Sequence, residues 1–186
     1  AGRLFDGISA ILGIRKKSSF EGEASMALEF AAEAYEKRSG EKKINVLDGQ
    51  KCLTESADDG RELLLTSRLV RAAVEAVSNI AETAVTEEAF DQDLIEKAAY
   101  EFHKGLAEQI ITACVHAAEK TGCQTAALSG GVFQNSLLLR LTEKGLTANG
   151  FRVLTHQMIP PNDGGIALGQ AFYGMNHECG EESSII

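Results

Sequence analysis

The chain has 186 residues, with 18 basic and 27 acidic side chains and a formal net charge of −9. That acidity argues against nucleic-acid binding over the whole surface, because phosphate affinity rests on Lys and Arg. No apolar run reaches the roughly 18 residues of a membrane span, and 44% hydrophobic with 24% charged residues suits one globular domain, residues 1–186, of a soluble cytoplasmic protein without a signal-peptide pattern.

Ala1-Gly2-Arg3 leads at once into an apolar helical pattern of Leu4, Phe5, Ile8, Ile11 and Leu12, closed by Gly13. So abrupt a start suggests a piece of a longer protein. Arg15-Lys16-Lys17 is the best local basic patch and reads as a solvated loop. A second helix is expected from about Glu23 to Arg38, where Met26, Ala27, Phe30, Ala31 and Ala34 recur at helical spacing before Ser39-Gly40. Two short extended runs, Lys43–Leu47 and Lys51–Thr54, flank Asp48-Gly49, a strong hairpin signal. An acidic loop follows at Ser56–Gly60, and a helical pattern resumes from about Glu62 to Asn79.

The longest predicted helix follows Thr86-Glu87-Glu88, a possible N-cap with an acidic first turn. Its stripe is Phe90, Leu94, Ala98, Phe102, Leu106, Ile110 and Cys114, and it ends near Thr121-Gly122. His103 and His116 lie on it without a partner at i+4 and read as helix-face residues. The four histidines form no H-x-x-x-H or H-E-x-x-H pair, and the four cysteines no C-x-x-C pair. The thiols therefore read as reduced and structural, and the chain holds no self-sufficient metal site. From 124 onward the pattern becomes βαβα: a strand Gln124–Leu128, a turn at Ser129-Gly130-Gly131, a helix from Val132 to about Thr147, a strand Phe151–Leu154, and a short helix Gly165–Tyr173. The tail from Asn176 to Ile186 reads as frayed.

Three constellations stand out. In "SGGVFQN" (129–135) a strand feeds a helix through paired glycines, which lets a ligand approach the backbone and leaves N–H groups open at a helix N-terminus. The same pattern also serves as a plain tight turn. In "PPNDGG" (160–165), which holds both prolines of the chain, the prolines stiffen the exit from the second strand. Asn162 or Asp163 then caps the next helix, with Gly164 and Gly165 leaving space beside the carboxylate; the sharper alternative for Asp163 is a metal ligand. Asp6 on the first helix and Gly22 before the second read, on pattern alone, as a solvated carboxylate and a loop residue.

Four stretches, "GRLFDGISAILGI" (2–14), "FEGEASMALE" (20–29), "ALSGGVFQNSLLL" (127–139) and "IPPNDGGIALGQA" (159–171), resemble in order the C-terminal part of the HypF family of hydrogenase-maturation carbamoyltransferases. That region is similar to the TsaD family of tRNA-modifying transferases. The resemblance implies an α/β fold, the C-terminal lobe of an actin/hexokinase/Hsp70-like ATPase (ASKHA) fold with added helices. It implies that Asp6 and Gly22 contact the ribose or adenine of an adenylate, and that Gly130, Gly131 and Asn135 form the second wall of that site. Asp163 is implied to join two histidines in holding a divalent metal ion (Fe, Zn or Mg), and those histidines are not in this sequence. The implied ligands are ATP and carbamoyl-adenylate. The implied partners are HypE, through its C-terminal cysteine, and the upstream domains of a HypF chain, including the YrdC-like one. The isolated chain is expected to be inactive. Rival expectations are a TsaD-type threonylcarbamoyl transferase, a sugar or acetate kinase of the same superfamily, and a non-catalytic scaffold module of the same fold.

Overall fold

Helix α1 (Gly2–Ile11) presents Phe5, Ile8 and Ser9 inward. It closes as expected at Gly13, where Gly13 N–H bonds the Ala10 carbonyl and Ile14 N–H bonds the Ser9 carbonyl. The computed structural model describes residues 2–40, 42, 64–83 and 89–176. The expected hairpin at 43–54, the acidic loop at 56–60, the cap at 86–88 and the tail beyond 176 lie outside the described residues.

Helix α2 (Glu23–Ser39) has the expected ends, and Gly40 N–H bonds the Glu36 carbonyl. Its buried face is not the expected one. Ala24, Leu28, Glu29, Ala32 and Tyr35 point inward, whereas Phe30 is 64% exposed and Met26 is exposed as well. Two apolar stripes compete on this helix. The inner one wins because small Ala24 and Ala32 admit a close neighbour, and because Glu29 has a hydrogen-bonding partner inside.

Helix α3 (Ser67–Thr83) and the long α4 (Ala89–Thr121) follow, and α4 is the axis of the molecule. α2 and α3 both pack on α4, and α1 packs across α2 and α3. Of the expected stripe, Phe102 and Leu106 are fully inside and Leu94, Ala98, Ile110 and Cys114 half-buried, while the Phe90 side chain lies outside the described residues. Because α4 is surrounded, its polar residues Glu96, His103, Glu108, Gln109 and Thr112 are also buried. At Gly105 a Cβ would meet Leu69 Cδ2 at 2.7 Å, so α3 crosses α4 at close range there.

Strand β1 (Thr125–Leu128), helix α5 (Ser136–Ala148) and strand β2 (Arg152–Thr155) form a β–helix–β unit. The strands run parallel, in register from Thr125 opposite Arg152 to Leu128 opposite Thr155. Leu137, Leu138 and Leu141 of α5 are fully buried in the main core with Phe5, Leu28, Tyr100 and Phe102, each contributing about 1.5–3 kcal/mol. A second cluster of Ile111, Leu128, Leu146 and Phe151 ties the sheet to α4 and α5. Helix α6 (Ile166–Asn176) comes last, and its main neighbour is the turn just before it. No described helix is long and apolar enough to cross a membrane.

Candidate functional site

The two parallel strands end side by side, which places the residues following them, Ser129 and His156, next to each other. The His156 Nε2 and Ser129 Oγ atoms lie 2.8 Å apart, both on the surface. Open α/β sheets take their ligands at this carboxyl edge. Gly130 comes next, with φ +96° and ψ 159°, a region that only glycine occupies without strain. A Cβ there would meet nothing within 4 Å, so bare backbone faces open space. Its N–H donates to the Pro161 carbonyl at 2.9 Å, and the Cβ that Gly131 lacks would lie 3.9 Å from Asn162 Cβ. The glycine turn and the Pro-Pro loop therefore form one surface.

Within that loop the cap is Asn162, whose Oδ1 accepts the Gly164 N–H at 3.1 Å. Asp163 begins the single 3₁₀ turn Asp163–Gly165 and is exposed. The glycines beside it do not leave space, as the sequence suggested. A Cβ on Gly165 would stand 2.8 Å from the Pro160 carbonyl, and one on Gly164 would stand 3.1 Å from the Pro160 ring. They are small so that the loop can fold back on Pro160.

Residues Gly131–Gln134 make a 3₁₀ turn, so α5 starts at Ser136 instead of Val132. The open helix N-terminus expected there is closed. Asn135 N–H bonds the Val132 carbonyl at 3.2 Å. The Ser136 N–H and hydroxyl both reach Glu29 Oε1 at 2.6 Å, and Leu137 N–H reaches the same oxygen at 3.3 Å. Leu138 N–H bonds Asn135 Oδ1 at 2.8 Å. These are the four amides a helix start leaves without partners, and a buried carboxylate suits their partial positive charge. The same carboxylate repels a phosphate, so this terminus is not an anion site.

His103 joins this network from α4. Its Nδ1 lies 2.8 Å from the Ala99 carbonyl, which only accepts, so Nδ1 carries the proton. Nε2 then accepts from Asn135 Nδ2 at 3.0 Å. The ring sits edge-on to Phe5 and Phe102, at centroid distances of 5.4 and 5.6 Å. Burial pushes its pKa down, outweighing the Ala99 hydrogen bond and the charges of Glu29 and Glu33, and the imidazole is neutral.

Asp6 is exposed on α1. Gly22, at φ +84°, starts α2 and is bracketed by Ser19, which donates its N–H and hydroxyl to Glu23; these bonds lower the Glu23 pKa, with Arg15 adding a smaller part. The structure thus brings Gly130, Gly131, Asn135 and the Asp163 loop together. Asp6 is linked to them only through the adjacent Phe5, which packs against His103, and Gly22 starts α2 about two helical turns before Glu29. Glu29, His103 and His156 were not singled out as site residues by sequence. Glu29 stands inside one of the quoted stretches, the only signal that pointed to it. Among the described residues no group of three or more His, Cys, Asp and Glu could hold a metal ion. The residues present therefore do not fit the implied metal by themselves. They do fit close approach of a ligand to the bare backbone at Gly130.

A family model described as the carbamoyltransferase, Kae1-like domain, second subdomain, matches residues 1–170. The carbamoyltransferase HypF2 of Cupriavidus necator is 31% identical over 175 residues, 94% of this chain and 21% of that protein. The carbamoyltransferase HypF of Rhodobacter capsulatus is 33% identical over 172 residues, 92% of this chain and 19% of that protein. A crystal structure of full-length HypF in its phosphate- and nucleotide-bound form superimposes with a TM-score of 0.67 at 28% identity, over 91% of this chain and 19% of that one. A crystal structure of T. kodakarensis HypF gives a TM-score of 0.62 at 29% identity, over 94% of this chain and 19% of that one. The chain spans about a fifth of the length of these relatives. It belongs to the HypF carbamoyltransferase family, as the second subdomain of the Kae1-like domain.

Proposed function

We propose that this chain is the C-terminal lobe of an ASKHA-type carbamoyltransferase domain and supplies one wall of an adenylate site in a longer cytoplasmic enzyme. The observation that carries the reading is the surface at the carboxyl edge of β1 and β2, where bare backbone at Gly130 and the Asp163 loop are joined by the Gly130–Pro161 hydrogen bond. The parallel pair β1–β2 supports a further layer in the longer protein, since parallel sheets are covered on both faces, while here Thr125, Ala127, Arg152 and Leu154 on one face are exposed.

In the proposed reaction, water releases carbamate and inorganic phosphate from carbamoyl phosphate; a carbamate oxygen then attacks the α-phosphorus of ATP, forming carbamoyl-adenylate as pyrophosphate leaves. The C-terminal cysteine thiolate of HypE attacks the carbamoyl carbon. A C–S bond forms, the bond from that carbon to the adenylate oxygen breaks, and AMP leaves with the electron pair. The thiocarboxamide is the source of the cyanide ligand of [NiFe] hydrogenase. Gly130, Gly131 and Asn135 would wall the nucleoside, with Asp6 and Gly22 on its other side. Asp163 would contribute one ligand to a divalent metal site completed from elsewhere in the protein, together with the YrdC-like and other upstream domains. The test is thiocarboxamide formation on HypE, read by mass spectrometry, with full-length protein carrying Asp163→Ala. A fall of about 10²-fold or more is expected; unchanged activity would leave the chain a scaffold.

A further inference from the structure

Asn135 has both ends of its side-chain amide committed inward, Oδ1 to Leu138 N–H and Nδ2 to His103 Nε2. An amide holds two donors and two acceptor lone pairs, so one Nδ2 hydrogen and one lone pair remain for a ligand. Which way they face depends on which end is oxygen. The Leu138 bond requires oxygen on one side, and the neutral, Nδ1-protonated ring of His103 requires the NH₂ on the other. The ring itself cannot rotate freely, because Ala99 holds Nδ1 and the edges of Phe5 and Phe102 flank it.

We propose that His103, fully buried in the core, is the positioning residue of the glycine turn: through Asn135 it fixes the wall that a nucleoside would meet. This rests on the nucleotide reading above, and it adds a residue that acts through another. Glu29 secures the same turn from α2 through Ser136 and Leu137, so the start of α5 is held from two helices. Supporting groups of this kind set the geometry of contact residues and weaken binding when removed.

The test uses the full-length carbamoyltransferase carrying this chain. His103→Leu keeps the volume and removes the acceptor, whereas His103→Gln places an amide oxygen near the position of Nε2. The leucine variant is expected to raise KM for ATP about tenfold, with kcat within about twofold, and the glutamine variant to return KM to within about threefold of the parent. Equal losses in both variants, or an unchanged KM in a folded leucine variant, overturn the proposal. If His103→Leu fails to fold, His103→Asn replaces it, since its shorter amide reaches Ala99 and not Asn135; asparagine outperforming glutamine overturns the proposal. Amide exchange at Leu138 gives a ligand-independent readout. It should speed up about tenfold in the leucine or asparagine variant and stay near the parent rate in the glutamine variant, and no change sinks the idea. If the parent enzyme shows no ATP dependence, the nucleotide reading fails, and the exchange result still decides whether His103 holds the turn.

Discussion

Burial keeps His103 neutral, and this makes acid work against the fold. The unfolded imidazole takes up its proton near the ordinary value of 6.5, while the folded one resists to lower pH even with Glu29 and Glu33 nearby. Below 6.5 the unfolded chain therefore binds more protons than the folded chain, and stability rises with pH across that window. The contribution is fully present above 6.5 and is lost as pH falls toward the lowered folded value. The urea midpoint of the parent should drop between about pH 7 and about pH 5 more steeply than that of His103→Gln; parallel slopes would show that this histidine does not govern the loss. Glu29 is the other polar residue of the core that matters at this scale, and one of its oxygens serves three donors.

Among the elements, the Pro-Pro loop depends on contact as well as on conformation. A Cβ at Gly165 would press on backbone, the Pro160 carbonyl, so the loop must open to accept it. Gly165→Ala is expected to break the Gly130–Pro161 hydrogen bond and raise amide exchange at Gly130 about tenfold. Gly169→Ala, with nothing within 4 Å, should leave that amide as it was, and equal effects would refute the packing argument. Most described helix ends, the two parallel strands and the places of both turns could be read from the sequence because their signals are local: Gly13, Gly40 and Gly122 at helix ends, Ser129-Gly130-Gly131 at a turn, and Pro160-Pro161 at a break. The inner face of α2 and the role of His103 could not. Glu29 finds its partner 107 residues away and His103 finds its partner 32 residues away, so a local window sees each as a surface polar residue. Phe30 misled for the converse reason, since an apolar side chain does not announce that it stays outside. Asp6, Gly22 and Asp163 owe their proposed roles to the resemblance, because nothing in their immediate geometry gathers a ligand set.

Across the whole molecule, apolar surface is unevenly distributed. Ile166, Leu168, Phe172, Tyr173 and Met175 of α6 are all exposed, as is Met158 at 98% in the loop before it. Monomeric proteins rarely leave so apolar a helix uncovered. The isolated chain should bind an apolar fluorescent dye and self-associate, and Phe172→Ser with Met175→Ser should reduce both by about half or more, read by fluorescence titration and size-exclusion chromatography. Unchanged dye binding would place the sticky surface elsewhere, for instance at Phe20 and Phe30 on the α2 side. The link between Glu29 and the start of α5 also has a consequence for how the chain is made. Synthesis runs from the N-terminus, so α2 with its carboxylate leaves the ribosome more than a hundred residues ahead of Ser136. The stopper for α5 is waiting before the helix it closes has been translated, and a nascent chain released short of Ser136 would carry Glu29 inward with nothing to hold.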